Sequence, residues 1–275
     1  MREGQSSFTA LAVTAGRLIA GVDPYARMFL SEALERYVDR VSNERAPWTN
    51  RLTLGFVAHI AHRTLAIDDA LLEASERGVR QVVILGAGYD ARAYRLDGLA
   101  KTTLFEVDHP ATQAQKQSVA HHLSPRVQKL RHVPVDFTRD ALEDKLESAG
   151  HNKEKPTTWI WEGVTMYLDD ASFLSTLESI GHRSSIGSRL VVTYMKRAGR
   201  FGAMTLSVLN GSVFSIVGEP LRLSLYPDDA KSACEAVGFS VIRDESTRLW
   251  GQRKGHPLKG YRMIPEHVLV ADRIG

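Results

Sequence analysis

The amino-acid sequence predicts an α/β fold: a Rossmann-like, seven-stranded, mostly parallel sheet with helices on both of its faces. Short runs rich in β-branched and aromatic residues alternate with amphipathic stretches, which is the pattern of parallel strands joined by helices. A glycine-rich turn, Gly86-Ala87-Gly88, follows directly on the first of these runs. Residues 1–80, in contrast, have the periodicity of helices alone. We therefore expect an N-terminal helical cap, then the sheet, with a helical insertion after the fifth strand.

Seven segments have the composition of strands, because each is short, largely apolar and bounded by polar or turn-forming residues. They are Gln81–Leu85, Thr103–Val107, Lys129–Val135, Thr157–Trp161, Arg189–Met195, 239–243 (FSVIR) and 267–273 (HVLVADR). Helices are predicted between them at Pro110–Leu123, Arg139–Ala149 and Asp170–His182. The proline suits a first helical turn, where its missing N–H would have no partner. The segment DDAKSACEAVGF predicts a further helix, capped by Asp228 and ended by Gly238.

We assign residues 1–80 to the cap and 81–275 to the sheet domain, with 196–220 as the insertion, and expect one integrated domain. Ligands of open α/β sheets bind outside the carboxyl ends of the strands. The cap and the insertion are therefore expected to fold over that edge as a lid.

Composition excludes several classes of protein. With 43% hydrophobic residues and a net charge of +3 among 275 residues, the chain is not a disordered one. It has no dense basic run of the kind that nucleic-acid binding requires, so no nucleic-acid partner is expected. The single cysteine, Cys234, excludes a disulfide framework and a cysteine-based zinc site, and predicts a cytoplasmic location.

No membrane segment and no metal site are predicted. Arg17 interrupts the apolar run near the N-terminus, unlike the core of a signal peptide. The longest uncharged stretch, Phe201–Gly218, contains serines and an asparagine that would be costly in hydrocarbon. Five histidines lack an accompanying carboxylate at the spacing of metal ligands: His59, His62, His109, His121 and His122.

The glycine turn fits two cofactor classes. Its spacing satisfies the dinucleotide fingerprint, and Asp108 lies 20 residues after Gly88, where an acid would bind a ribose. An ordinary glycine turn, a nicotinamide enzyme and a methyltransferase using S-adenosylmethionine all remain open on this spacing alone. Asp90, however, lies inside the turn, and a carboxylate there would repel a pyrophosphate.

Acidic residues also recur where predicted strands end, at Glu106, Asp108, Asp136 and Glu162. This row of acids suits the cationic sulfonium and ammonium groups of S-adenosylmethionine better than a pyrophosphate. The sequence therefore favours a methyltransferase, with a nicotinamide-dependent oxidoreductase or a non-catalytic nucleoside-binding regulator as the alternatives.

The segments QVVILGAGYDARAYRL, FEVDHP, PVDFT, WEGVTMYL and GEPLR resemble the leucine carboxyl methyltransferase family. The similarity is to its bacterial branch, which includes the tetracenomycin-type polyketide O-methyltransferases, and it runs from Asp23-Pro24 to the C-terminus. It implies a class I methyltransferase that uses S-adenosylmethionine, releases S-adenosylhomocysteine and acts in secondary metabolism.

The resemblance also implies the cofactor contacts. Arg63 would bind the cofactor's carboxylate, and Glu162 its ammonium group. Asp108 would accept the ribose hydroxyls. The remaining contacts would be Gly86, Ala87 and Gly88 with the methionine part, and Asp136 with Phe137 around the adenine.

A small-molecule acceptor is expected, with Tyr167, Tyr194, Asn210 and Phe214 as candidate contacts. The stretch 201–218 would form an apolar wall for the acceptor, or else a dimer contact or ordinary core. Where the phosphatase-methylating branch of the family has a lysine, this chain has Ala12, which counts against a protein C-terminus as substrate. The sequence does not choose between a carboxyl and a hydroxyl acceptor, identifies no catalytic base, and leaves a homodimer open.

Overall fold

A computed structural model of the chain describes residues 8–43, 50–137, 139–197, 221–255 and 264–275. Its strands form one seven-stranded sheet in the order β3-β2-β1-β4-β5-β7-β6. The strands are β1 Gln81–Leu85, β2 Thr103–Asp108, β3 Lys129–Pro134, β4 Thr157–Trp161, β5 Arg189–Met195, β6 Ser240–Ser246 and β7 Glu266–Asp272. Strands β1 to β5 run parallel, and β7 pairs antiparallel with both β5 and β6. The predicted fold class is confirmed.

The sheet has its switch in strand order between β1 and β4. The chain moves outward from β1 to β3 and then returns to place β4 on the other side of β1. Leu85 at the end of β1 pairs in register with Trp161 at the end of β4. The residues that follow these two strands therefore meet at one edge, which is where open α/β sheets bind ligands.

Helices cover both faces of the sheet. They are α1 Phe8–Ile19, α2 Glu32–Asn43, α3 Asn50–Glu76, α4 Arg92–Arg95, α5 Pro110–Ala120, α6 Leu142–Ser148, α7 Asp170–His182, α8 Pro227–Ala236 and α9 Thr247–Arg253. Side chains alternate between the faces: Val83 and Leu85 join a core with α6, α7 and α8, whereas Val82 and Ile84 join a core with α3 and α9. This alternation is the period of two that strands impose.

Two predicted helices each differ from the structure by three residues at one end. The helix expected at Arg139 begins at Leu142, because the Arg139 and Asp140 amides instead close a turn on the Asp136 carbonyl. The helix at Pro110 ends at Ala120 rather than at 123.

Asp228 does not cap α8. The helix begins one residue earlier, at Pro227, with Tyr226 as the cap residue, since a proline suits the first helical position. Gly238 does end this segment, with a φ of +87° and its N–H donated to the Glu235 carbonyl. Helix α9 was not predicted.

The described part of the N-terminal region is helical, as expected, and packs on the sheet. Ile67 and Leu71 of α3 lie in the same buried core as Ile84 of β1. Arg189 of β5 donates hydrogen bonds to the Ala70 carbonyl and the Glu73 carboxylate. These contacts support the single integrated domain, which stays a prediction, as does the boundary at residue 80. Most of the predicted insertion, 198–220, lies outside the described residues. None of the helices in the described ranges has the length and apolar character needed to cross a membrane.

Candidate cofactor site

The glycine loop connects β1 to α4 in a conformation that requires glycine. Gly86 and Gly88 have φ values of +67° and +45°, which residues with a Cβ rarely adopt. The Ala87 amide donates to the Val107 carbonyl of β2 at 3.0 Å, so the loop is tied to the neighbouring strand. Among the described residues, an added Cβ at Gly88 would meet only the Gly86 carbonyl oxygen, at 3.9 Å. Open space therefore lies beside this loop.

Asp108, the last residue of β2, faces that loop. Its carboxylate accepts the backbone N–H of Gly88 and, at 2.6 Å, that of His109. Burial raises the pKa of Asp108, and the two backbone hydrogen bonds act against this rise without cancelling it. Each carboxylate oxygen has about two acceptor positions, so both oxygens keep one for a further donor. Paired hydroxyl groups, such as those of a ribose, match this arrangement.

Asp136 and Phe137 lie beyond the end of β3. The Phe137 side chain is 53% exposed, which leaves an aromatic face available to a flat ligand. The Asp136 amide donates to the Asp140 carboxylate at 2.9 Å, and the Asp136 carboxylate lies 3.5 Å from Arg139 Nε. Asp136 does not cap α6, whose cap residue is Ala141.

Glu162 follows β4 directly and is surrounded by three arginines. Its Oε1 accepts from Arg17 Nη2 at 2.8 Å and Arg63 Nε at 3.0 Å, and its Oε2 accepts from Arg92 Nη1 at 2.8 Å. Burial alone would raise the pKa of Glu162, but the three guanidinium groups outweigh it and hold the pKa well below its ordinary value. Glu162 is therefore ionised and has one acceptor position left, on Oε2.

Arg63, on α3, lies between two carboxylates. Its Nε donates to Glu162 and its Nη1 donates to Glu266 at 3.0 Å. Burial would lower the pKa of Arg63, but Glu266 and Glu162 outweigh it and raise the pKa above its ordinary value. A permanent positive charge is thus held beside the end of β4.

Asp90 has a different role from the one that the sequence indicated. It is buried and forms an ion pair with Arg92, whose backbone N–H it also accepts at 2.8 Å. Its charge is therefore largely balanced within the protein, so it does not act as a bare acid that repels a pyrophosphate. The argument from Asp90 against a dinucleotide was wrong in its physical reason.

Glu162, Arg63 and Asp90 belong to one cluster of buried ion pairs. Several other members of this charged cluster were not predicted from the sequence: Arg17, Asp68, Arg92, Arg95 and Glu266. Arg92 and Arg95 both bind Asp68, at 2.7 Å and 2.6 Å. Arg92 Nη2 is buried and has no hydrogen-bond partner among the described residues. One sequence signal was available for Arg17, because a lone arginine in an apolar helix must find a buried partner or reach solvent.

The predicted acceptor contacts are only partly within the described residues. Tyr167 ends the 3-10 turn Thr165–Tyr167 next to Glu162, at the edge of the sheet. Tyr194 of β5 is 1% exposed, and its hydroxyl donates to Asp244 at 2.7 Å, on the face of the sheet that packs on α8. Asn210 and Phe214 lie outside the described residues. Their roles stay predictions.

The histidines near the site have protein contacts. His59 Nε2 lies 2.5 Å from Glu266 and its Nδ1 lies 3.1 Å from Thr247 Oγ1. Across the described ranges, no three His, Cys, Asp or Glu side chains are arranged to hold a metal ion.

Residues 9–181 match the family model of leucine carboxyl methyltransferase. A relative from Mycobacterium sp. (strain MCS), assigned as an S-adenosyl-L-methionine-dependent methyltransferase, is 37% identical over 172 residues, covering 62% of this chain and 69% of the relative. Another from Streptomyces avermitilis, with the same assignment, is 38% identical over 186 residues, covering 66% of this chain and 64% of the relative.

Solved methyltransferases share the fold at low sequence identity. A crystal structure from Thermobifida fusca, described as that of a methyltransferase, superposes with a TM-score of 0.63 at 14% identity, covering 100% of this chain and 97% of the other. Human N-acetylserotonin methyltransferase in complex with S-adenosylmethionine gives 0.50 at 17% identity, covering 100% of this chain and 68% of the other.

The residues at the edge of the sheet fit this cofactor. Gly88 leaves space for a ligand, Asp108 keeps acceptor positions for hydroxyl groups, and Arg92 Nη2 is a donor without a partner among the described residues. Together with the match over 9–181, this fit supports one conclusion. The chain belongs to the leucine carboxyl methyltransferase family and is an S-adenosylmethionine-dependent methyltransferase.

Proposed function

We propose that this enzyme methylates an oxygen of a small molecule, and that the acceptor oxygen belongs to a carboxyl group. The observation that carries the choice is the charge state of the buried acids around Arg63 and Arg92 in the described part of the chain; Asp108, whose pKa burial raises, is assigned to the ribose instead. Arginines outweigh burial and lower the pKa of Glu162 and Asp90, and that of Glu266 falls to about 2. Acids with such low pKa values are poor general bases, and a hydroxyl acceptor would need a base. A carboxylate is already ionised at neutral pH and needs none.

The cofactor contacts are proposed residue by residue. Asp108 accepts the two ribose hydroxyls, and Asp136 with the exposed ring of Phe137 holds the adenine. Gly86, Ala87 and Gly88 allow the backbone to approach the methionine part. Arg63 and Glu162 bind the carboxylate and the ammonium group, for which Glu162 Oε2 has an acceptor position left.

S-adenosylmethionine would supply a methyl group on its sulfonium: the acceptor oxygen would bond to the methyl carbon in line as the carbon–sulfur bond breaks, and S-adenosylhomocysteine would leave as the neutral thioether. The protein's own contribution is to orient the reactants and to exclude water, and such positioning can contribute about 7–11 kcal/mol in favourable cases. The rigid ion-pair cluster around Glu162 serves this purpose, because its members hold one another in fixed geometry.

The acceptor is proposed to bind above the ends of β4 and β5. Two described segments flank residues 198–220 there: the Arg197 amide donates to the Leu225 carbonyl, and the Leu225 amide donates to the Met195 carbonyl at 3.0 Å. The Leu223 amide also bonds the Met166 carbonyl, beside Tyr167. These contacts support an acceptor role for Tyr167, whereas those of Tyr194, Asn210 and Phe214 rest on the sequence alone, and the last two lie outside the described residues. The similarity to polyketide O-methyltransferases supports a secondary metabolite as the natural acceptor.

Methyl transfer from labelled S-adenosylmethionine tests this proposal on matched pairs of small aromatic compounds. Each pair consists of a carboxylic acid and the corresponding alcohol or phenol. We expect label in the acids, in a form released by mild alkali, as methyl esters are. Transfer to the phenols alone, stable to alkali, would contradict the proposed carboxyl acceptor.

A further inference from the structure

Arg63 donates hydrogen bonds to a glutamate that is far from it in the sequence. Glu266, the first residue of β7, accepts from Arg63 Nη1 through both oxygens, at 3.3 Å and 3.0 Å. The two residues are 203 positions apart in the sequence. Both are buried, with Glu266 1% and Arg63 5% exposed. The Glu266 side chain thus connects the antiparallel strand β7 to Arg63 of helix α3.

A second contact fixes Glu266 in turn. His59 lies one helical turn before Arg63 on α3 and is 0% exposed. Burial lowers the pKa of His59, so the ring is neutral at pH 7. A neutral ring fits both of its contacts by donating from Nε2 to Glu266 and accepting at Nδ1 from the hydroxyl of Thr247, the first residue of α9. Helix α3, strand β7 and helix α9 are therefore connected at this point.

These contacts leave one side of the Arg63 guanidinium for a ligand. Nε is taken by Glu162 and Nη1 by Glu266, while Nη2 has no hydrogen-bond partner in the part of the chain that the structure describes. Gly163 lies beside it, and an added Cβ there would come within 3.6 Å of Nη1 and Nη2. The missing side chain keeps this position clear.

Stability alone is a weak reason to keep such a cluster. The free energy needed to remove two charges from water often exceeds the free energy gained from their attraction in the interior. Proteins in which a buried ion pair is replaced by apolar residues of similar volume are therefore often equally stable. A guanidinium fixed in advance, however, loses less freedom when it binds a planar carboxylate. The arrangement is thus better explained by binding than by folding.

We propose that Glu266, supported by His59, is a positioning residue that holds Arg63 with Nη2 directed to the carboxylate of S-adenosylmethionine. This inference rests on the role proposed above for Arg63. It assigns a function in cofactor binding to the last strand, outside the residues that match the family model.

Two ligands separate this role from a structural one. S-adenosylhomocysteine carries the amino-acid carboxylate, whereas 5′-methylthioadenosine has the same nucleoside without it. We would measure calorimetric dissociation constants of both for the wild type, Glu266→Gln and Arg63→Met, with thermal melting of each variant. Glu245→Gln is the matched control, because Glu245 is also buried and paired with an arginine but lies on β6.

We expect Glu266→Gln to weaken S-adenosylhomocysteine binding about 10-fold and Arg63→Met about 100-fold, the scale of one and two charge-assisted hydrogen bonds. Neither substitution should change the binding of 5′-methylthioadenosine, and the control should change neither ligand. Equal weakening of both ligands by Glu266→Gln would overturn the proposal in favour of a structural role.

Other outcomes distinguish the two proposals. Loss of S-adenosylhomocysteine binding in Arg63→Met but not in Glu266→Gln would refute positioning and leave the role of Arg63 intact. Unchanged binding in Arg63→Met would refute that role itself. If Glu266→Gln fails to fold, Thr247→Val removes the hydroxyl that holds His59 while every charge stays in place. This variant should weaken S-adenosylhomocysteine alone, about 3-fold, and no selective change would count against the proposal.

Discussion

Replacing Arg17 with methionine removes the guanidinium that joins α1 to the end of β4. Arg17 is buried and donates hydrogen bonds from Nη2 to Glu162 at 2.8 Å and from Nε to Thr64 Oγ1 at 3.3 Å. Methionine has a similar length, so it fills much of the same space without the charge.

The expected loss of unfolding free energy depends on the ion pairs that Glu162 retains. Breaking a buried ion pair costs about 3–5 kcal/mol when the partner is left uncompensated. Glu162 retains Arg63 and Arg92, so the loss should be nearer that of one charge-assisted hydrogen bond, about 2 kcal/mol. For a chain of this length that corresponds to a fall of about 4 °C in melting temperature.

Thermal and urea unfolding, each followed by circular dichroism, would measure this change. Arg27→Met is the control, because the Arg27–Asp39 pair has side chains 48% and 49% exposed and should leave the melting temperature unchanged. A change below about 0.5 kcal/mol in Arg17→Met, the range of ordinary surface substitutions, would refute the view that Arg17 anchors the cap to the site.

Three further predictions concern the same edge. Lys116 is buried, donates to the Asp90 carbonyl and pairs with Glu106 at 2.8 Å. Lys116→Met should leave the buried Glu106 carboxylate with His132 Nδ1, at 3.4 Å, in place of a lysine, and cost about 3 kcal/mol in urea unfolding; an unchanged midpoint would contradict this. Gly88→Ala should weaken S-adenosylhomocysteine binding in calorimetry at least 10-fold, since φ is +45° beside the ligand, whereas Gly78→Ala, with a φ of +95°, should not. Glu266 has its pKa lowered from 4.5 to about 2, so its contribution to stability is full above pH 4.5 and is lost as the pH falls toward 2. The urea midpoint of the wild type should therefore decline more steeply over that window than that of Glu266→Gln, and parallel curves would refute this account.

Six of the seven strands could be predicted to within one residue at each end because their signal is local, whereas β6 extends to Ser246 instead of ending at 243. Each of Gln81–Leu85, Thr157–Trp161 and Arg189–Met195 is largely apolar and is buried along its whole length, as expected for strands covered on both faces. The positions of Asp108, Asp136 and Glu162 at strand ends could also be predicted, since parallel strands bring the residues that follow them to a common edge. Glu106, expected in the same row, lies inside β2 and is buried against Lys116.

The charged cluster could not be read from the sequence in the same way. Glu162 meets Arg17 over 145 positions, and Arg63 meets Glu266 over 203. No periodicity records such pairings, because they depend on how cap, sheet and last strand pack together. The role of Asp90 was misjudged for a related reason. Its partner Arg92 is only two residues away, but the spacing of the two residues does not show that their side chains meet in the core.

Calorimetric titration with S-adenosylhomocysteine, alongside NADH and NADPH, tests the central claim most directly. The claim is that the edge formed by the glycine loop, Asp108 and Glu162 binds the methyltransferase cofactor. We predict micromolar binding of S-adenosylhomocysteine by the wild type, its loss in Asp108→Ala with the fold retained by circular dichroism, and no binding of either nicotinamide. Undiminished binding by Asp108→Ala, or preferential binding of a nicotinamide, would contradict the account.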